Sequence, residues 1–284
     1  MNNLLLSSIQ EHTLLWILIS AGLGGIIGAV IKFIFETVAA FQYQQRFTAK
    51  KMLRTFRHPL LRAADSLDRR LENMINFIGK KWYEDPYDDY YRLSTLYLFG
   101  SYLGWCKILE DAAYLELEAS DRSAREFSIR FYRVFKALTG FWYFSGLDEG
   151  EIDGIEEATV PRLALTAISE LMLHNSSEDK GQMPKLLGFV EFAKQLRESS
   201  EFQKWFAYLE KGILTDHKPS KASARWNRLL VVASILRAFV AFLDPKGRQT
   251  TPRQIPYLKR MNPKVADKVR EELLEMKIQE LIVS

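Results

Sequence analysis

The sequence predicts an all-α protein, with one N-terminal transmembrane helix followed by a cytoplasmic multi-helix domain. Three observations predict it. First, the eighteen residues from Leu14 to Ile31 carry no charge, and Ser20 is their only polar member. A helix rises about 1.5 Å per residue, so this length just spans a hydrocarbon core of about 30 Å. Second, almost every later segment repeats apolar residues at helical spacing, and none shows the period-two alternation of half-buried strands. Third, no Lys or Arg precedes Lys32, so all 39 basic residues lie from there onward. Basic residues close to a span stay on the cytoplasmic side, which places the N-terminus outside and the body inside.

These features divide the chain into a short extracytoplasmic tail over 1–12, a transmembrane helix over 13–35, a basic juxtamembrane helix over 36–58, and a cytoplasmic helical domain over 59–284. Within the span, Ser20, Gly24 and Gly28 share one helix face, and Ala21, Gly25 and Ala29 share its neighbour. Small residues four apart let two backbones approach closely in lipid, so this ridge is the expected site of self-association or of pairing with another span. The juxtamembrane helix interleaves Arg46, Lys50, Lys51, Arg54 and Arg57 with Phe47, Met52, Leu53 and Phe56. Its cations are expected to fix the topology and to meet the anionic lipid surface of the bilayer. A cleaved signal peptide would need a positive leading region and a shorter apolar run than this.

The body reads as a series of helices. Pro59 is expected to end the juxtamembrane helix. An apolar stripe through Leu60, Leu61, Ala64, Leu67, Leu71, Met74, Ile75 and Ile78 predicts the next helix, which Asp85-Pro86 stops. A long helix should follow from about Asp88 to Glu118, then another from Ser120 or Ser123 to about Phe144. The acidic loop from Gly146 to Glu157 separates two halves, and a subdivision of the body near 146–158 is the natural one. Pro161 suits the first turn of a helix running to His174. Helices near Lys185–Arg197 and Glu201–Leu214 follow, and then an apolar helix from Arg225 to Leu243, ended by Asp244-Pro245. Residues 246–262 hold two prolines and many basic residues, and should be irregular. Asn262 as cap with Pro263 behind it starts the last helix. Leu96, Phe99, Trp105, Phe131, Phe135, Leu229 and Phe239 belong to the expected core. Leu229 to Leu243 is too short for a span and contains Arg237, so it reads as a core helix.

Composition is that of an ordinary folded protein, with 48% hydrophobic and 26% charged residues. The lone Cys106 excludes an internal disulfide framework and suits a reducing compartment. Its apolar neighbours make it a buried structural thiol. His12, His58, His174 and His217 show no ligand spacing, so neither a metal nor a cofactor is expected. The glycines from Gly22 to Gly28 lack the strand and βαβ unit of a dinucleotide loop. The acidic loop fails as an EF-hand, because Val160 falls where a bidentate Glu is required. Charges set in apolar surroundings are the remaining candidates: Glu110, Arg130, Arg133 and Arg237. They would be structural ion pairs, or the charges of a pocket between helices.

The segment Leu96-Tyr97-Leu98-Phe99-Gly100-Ser101-Tyr102-Leu103-Gly104-Trp105, with Ile108-Leu109, resembles a stretch of bacterial single-span proteins that have an N-terminal anchor and a helical body. The Phe-Gly-x-Tyr-x-x-Trp core carries the resemblance. It implies this architecture and a bacterial membrane, and brings no activity with it. The function expected from the residues is a membrane-anchored interaction or scaffold protein at the inner face of a bacterial membrane, with a protein partner or self-association through the span. The alternative is a membrane-tethered enzyme or small-ligand binder. The charge pattern disfavours nucleic acid, since Arg248, Arg253, Lys259 and Arg260 sit in one short loop.

Overall fold

A computed structural model describes residues 32–33, 55–78, 89–113, 122–148, 150–174, 185–214, 219–278 and 281–282. The chain divides into two units, residues 1–51 and 52–284. Of the first, only Lys32 and Phe33 are described, as helical and exposed. The ridge of Ser20, Ala21, Gly24, Gly25, Gly28 and Ala29, and the cations Arg46, Lys50, Lys51 and Arg54, lie outside the described residues.

Among the described residues the second unit has eight α-helices and no strand. They are α1 (55–77), α2 (Tyr90–Ala113), α3 (Arg122–Thr139), α4 (Arg162–Leu171), α5 (Phe189–Glu198), α6 (Ser200–Leu209), α7 (Ala224–Leu243) and α8 (Pro263–Glu275). A π-helical turn, Glu210–Leu214, continues α6, and 3-10 turns occur at Phe141–Phe144 and Leu258–Arg260. Three isolated bridges, such as that between Asp153 and Ser223, pin loops to the bundle.

Helix α7 is the axis. It is long and apolar enough to cross a membrane, yet all but three of its residues are buried inside the protein, as expected of a core helix. The Ser223 hydroxyl caps it by accepting from the Trp226 N–H. Helix α3 packs along α7 through Phe127, whose ring lies 5.8 Å from that of Phe239. Helix α8 packs against α7, is tied to α3 by Arg133 and Lys136, and starts as expected, with Asn262 Oδ1 accepting from the Lys264 N–H ahead of a first-turn proline. Helices α4, α5 and α6 form a layer against α2. There Gly100 and Gly104 face Met172, Phe206 and Leu186, and a Cβ on Gly104 would stand 2.6 Å from Leu186 Cδ2.

Three expectations need correction. Pro59 does not end a helix, because α1 runs through it from 55 to 77. Proline there forfeits only its own bond to the carbonyl one turn back, and buried Phe56, Leu60 and Leu61 hold the helix to the core on both sides. Helix α3 stops at Thr139 rather than near Phe144, because Gly140 takes an extended conformation and the aromatic run after it forms a separate turn. Leu96, Phe99, Phe131, Leu229 and Phe239 are buried, but Trp105 and Phe135 are only half-buried at the edge of the core.

Polar contacts fasten α1 along its whole length to α7 and the segment after it. Arg57 Nε donates to the Leu243 carbonyl at 2.9 Å. His58 Nδ1 lies 2.6 Å from Gln249 Oε1. Arg253 pairs with Asp65 and, at 3.1 Å, with Asp68 Oδ2. Arg237 Nε reaches Asp68 Oδ1 at 3.1 Å, and its Nη2 lies 3.2 Å from Glu72 Oε2. Arg260 Nη2 donates to the Ile75 carbonyl at 2.9 Å. Residues 246–262 are irregular in backbone, as expected, but two of their cations are consumed in holding α1.

Candidate binding groove

The four charges expected in apolar surroundings do not converge. Arg237 is 3% exposed and belongs to the ion cluster on α1, whose centre is Asp68. Burial pushes the Asp68 carboxyl above its usual value, against the pull of Arg237 and Arg253. Arg133 reaches α8, where Nη1 donates to the Glu272 carbonyl at 2.9 Å and Nε lies 3.3 Å from Glu272 Oε1. Glu110 is not a buried charge: it is half-buried on α2 and accepts from the Tyr132 hydroxyl at 3.4 Å. Arg130 is the one of the four that lines a cavity at the end of α7.

That cavity is a half-open groove of about 590 Å³, within the range of about 300–1,000 Å³ usual for small-molecule sites. Five helix ends make it: the starts of α1 and α3 and the ends of α2, α7 and α8. Leu60, Leu109, Phe127, Phe242, Ile278 and Leu281 supply its apolar walls. Arg57, Arg130 and Lys277 are its cations, and Glu126 is its one carboxylate.

Each polar group has a physical reason to be there. The last carbonyls of a helix have no partner within it and carry the negative end of its dipole. Three such ends, of α2, α7 and α8, border this groove, and arginines serve those of α7 and α8. Arg57 donates to Leu243, the last residue of α7. Arg130 Nη2 donates at 3.2 Å to the carbonyl of Met276, just past α8. The Arg130 guanidinium also stacks 4.3 Å from the Phe242 ring centroid and meets Glu126 Oε2 at 3.5 Å. Its Nε–H is buried and has no acceptor among the described residues. Lys277 adopts a left-handed conformation, φ 58°, as α8 ends, and its side chain is exposed.

A short turn carries further cations to the same end. The Asp244 carboxylate accepts from the N–H groups of Arg248, Gln249 and Thr250 and from the Thr250 hydroxyl. Burial works against its charge, but these donors outweigh burial and hold the carboxyl below its usual value. The turn is thereby fixed, with Pro245 in the groove wall and Lys246 and Arg248 exposed.

A second hollow, of about 440 Å³ between α4, α5 and α6, is lined by Glu170, His174, Glu191 and Glu201, with His174 Nδ1 3.9 Å from Glu191 Oε1. No group of His, Cys, Asp and Glu side chains among the described residues could hold a metal ion.

Sequence reasoning missed Asp68, Arg228, Arg253 and Glu272 as buried or bridging charges. For Asp68 a signal existed, since it stands one turn from Ala64 and from Leu71 on the apolar stripe of α1. Comparison with family models, with curated proteins and with solved structures finds no match for this chain.

Proposed function

We propose that this is a membrane-anchored helical interaction protein, held by residues 13–35 with its body at the inner face of a bacterial membrane. One observation carries the binding role: an apolar groove rimmed by Arg57, Arg130 and Lys277 at the end of the bundle where α1 begins. The uncharged run from Leu14 to Ile31 and the cations that follow it support the anchor and its orientation. The small-residue ridge of Gly24 and Gly28 supplies a route to self-association in the same membrane.

The small-ligand reading gains from the same groove, whose volume suits such a site. A catalytic pocket does not follow from it. Of the four charges expected to build one, Arg133, Arg237 and Glu110 serve helix contacts instead.

Topology tests the anchor directly. Asn3→Cys should react with an impermeant thiol reagent in intact cells, and Ser220→Cys should react only after the cells are opened. Cys106 is fully buried and stays silent in both variants. The reverse pattern, or both sites protected, would remove the anchor and orientation from the reading.

A further inference from the structure

We infer that the groove holds an anionic phospholipid, with an acyl chain against its apolar walls and the headgroup phosphate on the surrounding cations. This deepens the proposed function and rests on it, since a bilayer is the source of the ligand.

The argument begins with charge at this one end of the bundle. Arg57, Arg130 and Lys277 line the groove, and the turn after α7 adds exposed Lys246 and Arg248 beside its Pro245 wall. Among the described residues, the carboxylates nearby are already engaged. Glu126 meets Arg130, Asp111 pairs with Lys107 at 2.7 Å, and Asp244 is taken up by the backbone of its own turn. The carbonyl ends of α2, α7 and α8 subtract about half a charge each, the start of α3 adds about as much, and Arg57 and Arg130 answer the ends of α7 and α8. Among the described residues, Lys246, Arg248 and Lys277 are left over as exposed positive charge.

Geometry adds a second, independent reason. The Arg130 guanidinium stands 4.3 Å from the centroid of the Phe242 ring, a wall of the groove. Arg130 lines the groove, and guanidinium is suited to phosphate by shape as well as charge. The walls that continue from it, Leu60, Leu109, Phe127, Ile278 and Leu281, are aliphatic or aromatic and offer nothing to a polar ligand beyond the rim. An amphiphile with a negative head therefore matches both halves of the site.

The test uses the full chain, purified in a mild nonionic detergent, with native mass spectrometry counting the lipids retained. Phosphatidylglycerol and phosphatidylcholine of matched acyl chains are the probes. Each cation at a lipid surface is worth about fivefold in binding. Wild type should therefore retain phosphatidylglycerol over phosphatidylcholine, and Lys246→Gln with Arg248→Gln should cut that preference about five- to twentyfold at unchanged melting temperature. Ala241→Trp, which fills the groove without altering charge, should remove one bound phosphatidylglycerol. Lipid held around the membrane helix persists in that variant, so the difference counts the groove alone. Equal retention of both lipids by wild type, or an unchanged count in Ala241→Trp together with an unchanged preference in the turn variant, would overturn the inference. Alkaline carbonate extraction is read separately. Release of the chain by carbonate sinks the anchor, whereas loss of the lipid difference in a chain that resists carbonate sinks only the groove's ligand.

Discussion

Arg228 shows how a single residue can carry more structure than its surroundings suggest. It is fully buried, and no carboxylate pairs with it among the described residues. Its donors go instead to the carbonyls of Ala137 and Gly140, both at 2.8 Å, to Ala158 O at 3.1 Å, and to Thr159 Oγ1 at 3.1 Å. Burial pushes its pKa down to about 10, still well above neutral pH, so it stays charged. It closes the C-terminal end of α3, where the helix dipole favours a cation, and ties that end to α7. Arg228→Met should lower stability by about 2–4 kcal/mol, because several carbonyls lose charge-assisted bonds in a dry site. Lysine should not rescue it, since one ammonium cannot reach four acceptors set around a planar fork. Denaturant unfolding of the two variants checks both statements. Residues of this kind were half legible. Asp68 interrupts an apolar stripe at a helical position, and that alone marks it as buried. Arg228 stands at the polar start of a helix, where exposure was the natural assumption.

At the scale of the element, helix caps and apolar stripes were legible because their causes are local. Asn262-Pro263 started α8 by bonds between near neighbours in sequence, and the Ser223 cap of α7, not singled out in the sequence, is of the same local kind. Pro59 and the end of α3 were not legible, because long-range packing decides both. The glycines of α2 belong to the same level. Gly100 and Gly104 stand one turn apart and give α2 a flat side, into which Met172 and Leu186 fit. The segment that carries the family resemblance thus has a packing explanation of its own. Gly104→Val should cost about 1–3 kcal/mol, since the added branches meet Leu186 and the buried Met172 at close range. Gly104→Ala should cost less, because alanine recovers about 1 kcal/mol of helix propensity. Melting temperatures in the order wild type, alanine, valine support the seam, and an unchanged valine variant would contradict it.

At the scale of the molecule, the all-α class was legible from periodicity, and the groove was not. Its walls come from five helix ends that are distant in sequence, and no stripe or motif on any one helix announces their meeting. The single division of the chain, at 51–52, carries its own expectation. Residues 52–284 expressed alone should unfold in one cooperative transition with a helical spectrum, because their core is closed without the first unit. A fragment that shows no cooperative transition would contradict this. The fastening of α1 has a mechanical meaning as well. Its contacts follow one another from the point where the chain enters the body: Leu243 holds Arg57, Gln249 holds His58, then come Arg253, Arg237 and Arg260. Tension drawn on the chain at residue 52 therefore falls on these clasps in sequence, so that α1 unzips from its leading end instead of shearing away whole. The groove wall at Arg57 and Leu60 is the first part to yield, and the ion cluster around Asp68 is the stop that protects the core behind it.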